Sequence, residues 1–130
     1  MCIITFHYKQ HPKYKLIVVA NRDEFYERPT EAAHFWHDEP NIVAGRDLKA
    51  MGTWLGMTKE KRFAALTNYR DIQNERDDRR SRGEIVRNFL TSTESPQTFL
   101  EKLDQVWDSY NGFNVLVGSP DELYYYSNIQ

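Results

Sequence analysis

The only cysteine of the sequence, Cys2, directly follows Met1. Its side chain is small enough to permit removal of Met1, and position 2 would then carry both a thiol and a free α-amine. An α-amine titrates close to neutral pH, so it can take the thiol proton and activate the sulfur as a nucleophile. One residue would then supply both the nucleophile and the base for acyl transfer.

Acyl transfer also needs hydrogen-bond donors for the oxyanion and a polar group that orients the amine. Asparagine amides such as those of Asn68 and Asn21 suit the first task, and Asp or Arg side chains such as those of Asp23 and Arg22 suit the second. All four residues stand where a predicted strand ends. The residues alone do not place these strand ends beside Cys2. A small buried cysteine and ordinary turn or cap chemistry are the more common explanations of such residues.

The elements that must position these groups are predicted hairpins. Residues 2–8 and 15–20 are rich in β-formers and flank a polar stretch, which predicts a first hairpin. The second of these runs is apolar without alternation, which is typical of a strand covered on both faces. Residues 52–58 and 62–69 flank a polar turn and predict a second hairpin that ends at Asn68. Between the first and the second hairpin, residues 25–47 are predicted to form a long ordered loop with one short strand at 42–44.

The second half of the chain predicts two helices and a third hairpin. Residues 70–82 carry five Arg and four acidic residues, which favours a solvated loop over a ligand-binding patch and leaves a mobile lid as the alternative. Apolar spacing predicts a helix over 81–91. Ser95 and Pro96 predict the start of a second helix whose apolar face extends to Trp107, before Asn111-Gly112 breaks it. Residues 113–117 and 123–127 complete the order of four strands, two helices and two strands, which predicts an α+β fold with an antiparallel sheet.

Composition limits the classes of partner. The chain has 130 residues, which predicts a single domain over 1–130, and its 17 basic and 19 acidic residues give a net charge of −2. That charge does not favour nucleic acid. One cysteine and no secretory pattern predict a cytoplasmic protein, and the apolar runs are too short for an integral membrane segment.

Several blocks, in this order, resemble a known family. They are the opening MCIITF, ANRDE at 20–24 with Arg28-Pro29 after it, AGRDL at 44–48, GTWLG at 52–56, LTNYR at 66–70 and SRG at 81–83. Together they resemble the NRDE family, also called the transport and Golgi organisation protein 2 family. The resemblance implies an N-terminal-nucleophile hydrolase type of fold, a layered αββα sandwich with mostly antiparallel sheets. Members of the family are longer, so it also implies that the sandwich is incomplete in this chain.

The resemblance also implies roles for site residues. Cys2 matches the nucleophile position of an amidohydrolase, and Asn68 resembles the asparagine of the oxyanion hole in conjugated bile acid and penicillin V amidases. Asp23, with Arg22 beside it, resembles the group that orients the cysteine. Those amidases place arginine before the acid at a different spacing, so the assignment among Asn21, Arg22, Asp23 and Glu24 stays open.

Two functions remain after these steps. The first is a cysteine hydrolase for a small-molecule amide, with Trp54, Tyr69 and Arg70 as binding residues beside the site and with no cofactor. The second is a non-catalytic carrier of an apolar ligand, since the family is associated with haem trafficking and with lipid or acyl-CoA homeostasis. Haem would then be cargo, with weak axial ligands among His7, His11, His34 and His37, and no metal site is predicted. An exposed sheet edge near residues 124–126 predicts a homodimer contact.

Overall fold

Two antiparallel sheets and two helices form the chain in a computed structural model, which describes residues 2–129. The strands are β1 (Ile3–Tyr8), β2 (Leu16–Asn21), β3 (Thr30–Phe35), β4 (Ile42–Asp47), β5 (Leu55–Thr58), β6 (Phe63–Asn68), β7 (Phe113–Ser119) and β8 (Glu122–Ser127). The helices are α1 (Gly83–Thr91) and α2 (Pro96–Asp104), followed by a 3₁₀ turn at Trp107–Ser109. The predicted α+β class with antiparallel sheets is confirmed.

The first hairpin, β1–β2, forms a sheet of its own. Its register pairs Ile3 with Asn21 and Tyr8 with Leu16, as the apolar runs predict. The expectation that β2 is covered on both faces is wrong, because Val19 is 69% exposed and the two residues after it are exposed as well. Ile3 and Phe6 of β1 are exposed as well, so the apolar residues of this hairpin lie partly in solvent.

The segment predicted as a long loop, 25–47, contains a hairpin instead. Strand β3 pairs with β4 in the six-stranded sheet, with an irregular register between Glu31 and His34. The sequence of β3, TEAAHF, has few β-branched residues, and the strand lies at the sheet edge, where local preference gives a weak signal. The element order is therefore six strands, two helices and two strands, which corrects the predicted order.

The remaining strands complete the sheet in the order β3-β4-β5-β6-β7-β8. Strands β5 and β6 form the predicted second hairpin, and β7 and β8 form the predicted third. Pairing of β6 with β7 joins the two halves of the chain, and it places Asn68 opposite Phe113. Strand β8 is the second edge of the sheet, as predicted, and its Tyr125 is 65% exposed.

Both helices pack on the six-stranded sheet. The buried face of α1 carries Ile85, Val86, Phe89 and Leu90, as its spacing predicts. At α2 the predicted cap is confirmed, because the Ser95 side chain accepts a hydrogen bond from the Thr98 N–H at 3.2 Å. The helix ends at Asp104, earlier than predicted, and backbone bonds of the tighter 3₁₀ type follow it, such as that from the Val106 N–H to the Leu103 carbonyl. The apolar residues expected to extend this face, Val106 and Trp107, are consequently exposed.

Candidate functional site

A cleft of about 940 Å³ lies where the end of the β1–β2 hairpin meets the six-stranded sheet and the start of α1. Its lining is rich in charged side chains of both signs. The charged lining residues are Arg22, Asp23, Glu24, Arg28, Glu31, Arg46, Asp47, Lys49, Glu75, Arg76, Asp77, Arg79, Arg80 and Arg82. Such a lining suits a polar or charged ligand better than a purely apolar one.

Most of the residues predicted to do chemistry line this cleft. Cys2, Arg22, Asp23 and Asn68 all do so, and the predicted binding residue Trp54 lies among them. The three other predicted residues do not line it, namely Asn21, Tyr69 and Arg70. Asn21 ends β2 opposite Ile3, Arg70 is exposed, and Tyr69 lines a second cavity of about 370 Å³.

Strand pairing explains why the first group comes together. Cys2 directly precedes Ile3, and Ile3 pairs with Asn21, so the segment that leaves β2 begins beside the cysteine. Asn68 is the last residue of β6, where the Tyr69 N–H donates to the Gly112 carbonyl at 2.8 Å. The Asn68 side chain is exposed and makes no hydrogen bond to residues 2–129, so its amide can meet a ligand.

The segment after β2 is held by an ion pair that the sequence did not single out. Arg22 Nη2 lies 2.8 Å from Glu24 Oε2, and the other oxygen of Glu24 accepts the Phe25 N–H at 2.9 Å. Both side chains are largely shielded from solvent, at 22% and 27% exposure. Glu24 therefore fixes the direction of Arg22, while Asp23, between them in sequence, also lines the cleft.

A second pair, between Arg28 and Asp47, was missed by the sequence analysis. Arg28 donates to the two carboxylate oxygens of Asp47 at 3.0 and 2.5 Å, and Asp47 also accepts the backbone N–H groups of Lys49 and Ala50. Burial opposes ionisation of Asp47, but these hydrogen bonds outweigh it and hold the pKa of that carboxyl below its ordinary value. The pair fixes the turn that follows β4. Arg28 and Asp47 are 19 positions apart in the sequence, and no helix or strand periodicity predicts a contact at that separation.

Comparison with known proteins identifies the family. A family model described as Transport and Golgi organisation 2 matches residues 1–130, the whole chain. The chain belongs to the Transport and Golgi organisation 2 family. The resemblance to the NRDE family, which is the same family, is thereby confirmed.

Relatives in this family extend beyond the match. The chain is 41% identical to the Transport and Golgi organization 2 homolog of Mus musculus over 140 aligned residues, which cover 98% of this chain and 50% of the relative. It is 33% identical to Transport and Golgi organization protein 2 of Drosophila melanogaster, over 88% of this chain and 44% of the relative. An uncharacterized protein of Saccharomyces cerevisiae is also 33% identical, over 87% of this chain and 36% of the relative. The chain spans about half the length of the mouse relative.

A third charged group belongs to the segment predicted as a solvated loop. Most of 70–82 is exposed, as predicted, but the Arg82 side chain is only 17% exposed. It donates to the Gly112 carbonyl at 2.9 Å and to Glu75 at 3.2 Å. Burial lowers the pKa of Arg82 from its ordinary value, and the charge of Glu75 opposes that shift. Arg82 thus ties the loop to Gly112, the residue directly before β7.

The histidines named as candidate haem ligands lie away from the lining of the cleft. None of His7, His11, His34 and His37 lines it. His34 Nε2 lies 3.0 Å from Glu31 Oε2. Among residues 2–129 no group of three or more His, Cys, Asp or Glu side chains could hold a metal ion. In the same part of the chain, no helix has the length and apolar character needed to cross a membrane.

Proposed function

We propose that the chain is a cysteine hydrolase that cleaves a C–N amide bond, with Cys2 as the N-terminal nucleophile after removal of Met1. One observation carries the proposal: Cys2, Arg22, Asp23 and Asn68 line the same cleft. A fold or a family name does not by itself define a reaction, so the argument rests on these side chains. Met1 lies outside the described residues, and its removal is part of the proposal.

The reaction proceeds through an acyl-enzyme. The α-amine of Cys2 takes the thiol proton, and Sγ attacks the amide carbonyl carbon. The former carbonyl oxygen gains a negative charge, which the side-chain N–H of Asn68 stabilises. When the C–N bond breaks, the Cys2 ammonium gives its proton to the leaving amine, and a thioester remains. Water then attacks the thioester carbon and gives a proton to the α-amine of Cys2. The C–S bond of the tetrahedral intermediate breaks, which releases the carboxylic acid, and the α-ammonium returns the proton to the sulfur.

The segment after β2 orients the amine in this proposal. Arg22 is held in place by Glu24 at 2.8 Å, so Asp23 projects from a fixed stretch of chain next to the start of β1. A carboxylate beside the α-amine stabilises the ammonium form that appears during attack. Asp23 is therefore assigned as the orienting group, and Arg22 as its positioning neighbour.

The proposal includes a layered arrangement of the N-terminal-nucleophile hydrolase type. The β1–β2 hairpin and the six-stranded sheet would be its two inner layers, with α1 and α2 as one outer layer. Packing of both helices on the six-stranded sheet supports this, and so does the exposure of Ile3 and Val19 on the uncovered hairpin. The open edge at β8 provides a surface for a homodimer, and the cytoplasm is the proposed location.

The test is the intact mass of the purified chain, before and after incubation with penicillin V as an acylating amide. We expect loss of Met1 and one adduct on Cys2. Asn68→Ala should slow acylation by about a hundredfold, the effect typical of removing one oxyanion donor. Asn88→Ala, an exposed asparagine on α1, is the matched control and should leave the rate unchanged.

Two results would contradict the proposal: retention of Met1, or an unchanged acylation rate in Asn68→Ala. A chain that lacks Met1 but does not react would favour the non-catalytic carrier instead. In that case haem titration should give a Soret shift that histidine substitution removes.

A further inference from the structure

One wall of the cleft is formed by residues 75–82, and this wall has a defined position. The Arg76 N–H donates to the Asn111 side chain at 3.0 Å, and the Asn111 amide donates back to the Arg76 carbonyl at 2.8 Å. The Arg80 N–H donates to the Ser109 carbonyl at 2.9 Å. The backbone of this segment is therefore tied at two points, and most of its charged side chains line the cleft.

Most basic side chains of the cleft already have a carboxylate partner. The pairs are Arg22–Glu24, Arg28–Asp47, Arg46–Asp38, Arg76–Asp78, Arg80–Glu84 and Arg82–Glu75. Within residues 2–129, two basic side chains of the lining have no ion pair, Lys49 and Arg79. Lys49 is exposed and therefore well hydrated, whereas Arg79 is partly buried.

Arg79 makes no ion pair within residues 2–129, although its charge helps to lower the pKa of the nearby Asp78. A partly buried cation without an ion pair favours an anionic ligand, because burial has removed some of its water. Asp78, the adjacent carboxylate, accepts two hydrogen bonds from Arg76, at 3.1 and 2.9 Å, so it is already engaged. Asp77 lines the same wall without an ion pair to residues 2–129, but it is exposed and hydrated. Arg79 therefore keeps its donors available to a ligand in the cleft.

The start of α1 adds a second attraction for an anion at this wall. Arg82 occupies the N-cap position and no side chain caps the helix there, while Gly83, the first helical residue, lines the cleft. The positive end of a helix dipole favours negative charge. The Glu84 and Ile85 N–H groups donate to the Ser81 and Arg82 carbonyls at 3.2 and 3.1 Å, so the helix contributes its dipole here and not these donors. Arg79 precedes this end by four residues and lines the same cavity.

We propose that the substrate amide carries an acidic group, a carboxylate or a phosphate, and that Arg79 binds this group beside the start of α1. The inference rests on the proposed function, since the same cleft holds Cys2. A guanidinium presents a planar fork of N–H donors that matches both kinds of anion. Arg79 is thus a binding residue that selects acidic amides.

The test compares three alkylating probes of nearly equal size on the full chain. N-chloroacetylglycine carries a carboxylate, N-chloroacetylaminomethylphosphonate carries a phosphonate, and N-chloroacetylglycinamide is neutral. Each alkylates a thiol with loss of chloride, so intact mass gives a labelling rate constant for Cys2. Rates are divided by those of free cysteine with the same probe, which removes the intrinsic effect of probe charge.

An acidic probe should label the unsubstituted chain at least about ten times faster than the neutral probe, as expected for one hydrogen bond to a charged group. Arg79→Gln should reduce this ratio to about one, and Arg79→Lys should retain part of it. Arg87→Gln is the matched control, because Arg87 is likewise a partly buried arginine but lies outside the cleft, and it should leave the ratio unchanged. The faster of the two acidic probes identifies the kind of anion.

A ratio near one in the unsubstituted chain would overturn the inference, and so would an unchanged ratio in Arg79→Gln. Loss of fold does not confuse the result, because Arg79 makes no hydrogen bond or ion pair within residues 2–129, and a melting curve checks this directly. Alkylation needs neither removal of Met1 nor an oxyanion hole. If the hydrolase proposal is wrong, the penicillin V experiment will show it, whereas the ratio of acidic to neutral probe labelling will not be affected.

Discussion

The six-stranded sheet and the β1–β2 hairpin differ sharply in burial. Phe89 and Phe113 on the sheet side are fully buried, whereas Ile3 and Val19 on the hairpin are 56% and 69% exposed. The proposed nucleophile, Cys2, stands on the hairpin, and Asn68 stands on the sheet. The cleft therefore lies between a well-packed region, the six-stranded sheet with its helices, and a more exposed region, the β1–β2 hairpin. We expect substitutions in the first region to change stability, and those in the second to change reactivity.

Phe89→Ala should cause the largest loss of stability. The ring packs edge-on against Phe99 at 5.1 Å and lies 3.9 Å beneath the Arg62 guanidinium. Removing such a side chain leaves a cavity and typically costs about 3–5 kcal/mol. Phe6→Ala is the matched control on the hairpin, where the ring is 41% exposed, and it should cost at most about 1.5 kcal/mol. Urea unfolding measures both, and equal losses would contradict the comparison.

Gly56→Ala should come next, because α1 lies close to β5 at this point. A Cβ atom at Gly56 would stand 2.9 Å from the Ala44 Cβ and 2.9 Å from the Leu90 Cδ1. Overpacking of this kind costs about 1–3 kcal/mol. In the Leu90→Ala background the contact with Leu90 is gone and the contact with Ala44 remains, so the same substitution should cost less there. Additive losses in urea unfolding would show that the contact with Leu90 is not the cause.

The fold could be predicted where sequence patterns are local. The three hairpins with β-branched or aromatic strands and the two helices follow from periodicity and turn residues. Strand β3 could not be predicted, because TEAAHF has little strand preference and is ordered by pairing with β4. The early end of α2 was missed for a similar reason, since the apolar spacing continues to Trp107 although the helix does not.

The site was predictable only in part. Strand ends suggested Asn21, Arg22, Asp23 and Asn68, and three of these line the cleft with Cys2. The pairing of Arg28 with Asp47 could not be read from the sequence, because it depends on how the chain after β2 approaches the end of β4. Arg79 lies in a charge-rich stretch whose composition favoured solvent. The ion pairs of its neighbours show that, within residues 2–129, Arg79 is the arginine of the cleft lining that makes no ion pair.

Asp47→Asn tests the charged part of the cleft through pH. The pKa of Asp47 lies below its ordinary value, so the stabilisation by its carboxylate is complete above the unfolded-state pKa of about 4 and is lost as the pH falls through the lower folded-state value. We expect Asn at this position to cost about 1–2 kcal/mol at pH 7, since Arg28 loses a largely buried partner. The difference should shrink below about pH 4.

Asp78→Asn is the control for that experiment. Its carboxylate pairs with Arg76 at the surface, where both side chains are more than half exposed. Exposed pairs contribute little to stability. Urea unfolding at several pH values should therefore show a clearly smaller change than for Asp47→Asn, and equal changes would contradict the assignment of Asp47 as the structural carboxylate.

Tyr8→Phe should have the smallest effect on global stability. It tests most directly whether the β1–β2 hairpin opens independently of the six-stranded sheet. The Tyr8 hydroxyl donates to the Asp121 carbonyl at 2.5 Å, and Lys15 pairs with the Asp121 side chain nearby, which ties the far end of the hairpin to the turn between β7 and β8. Loss of one exposed hydrogen bond should lower the free energy of unfolding by less than about 1 kcal/mol. Hydrogen exchange should nevertheless quicken in β1 and β2 and stay unchanged in β6 and β7, because the hairpin opens without the sheet. The labelling rate of Cys2 should also change when the hairpin opens more often, since the thiol moves with β1. Equal quickening in both sheets would mean that the hairpin and the sheet open as one unit.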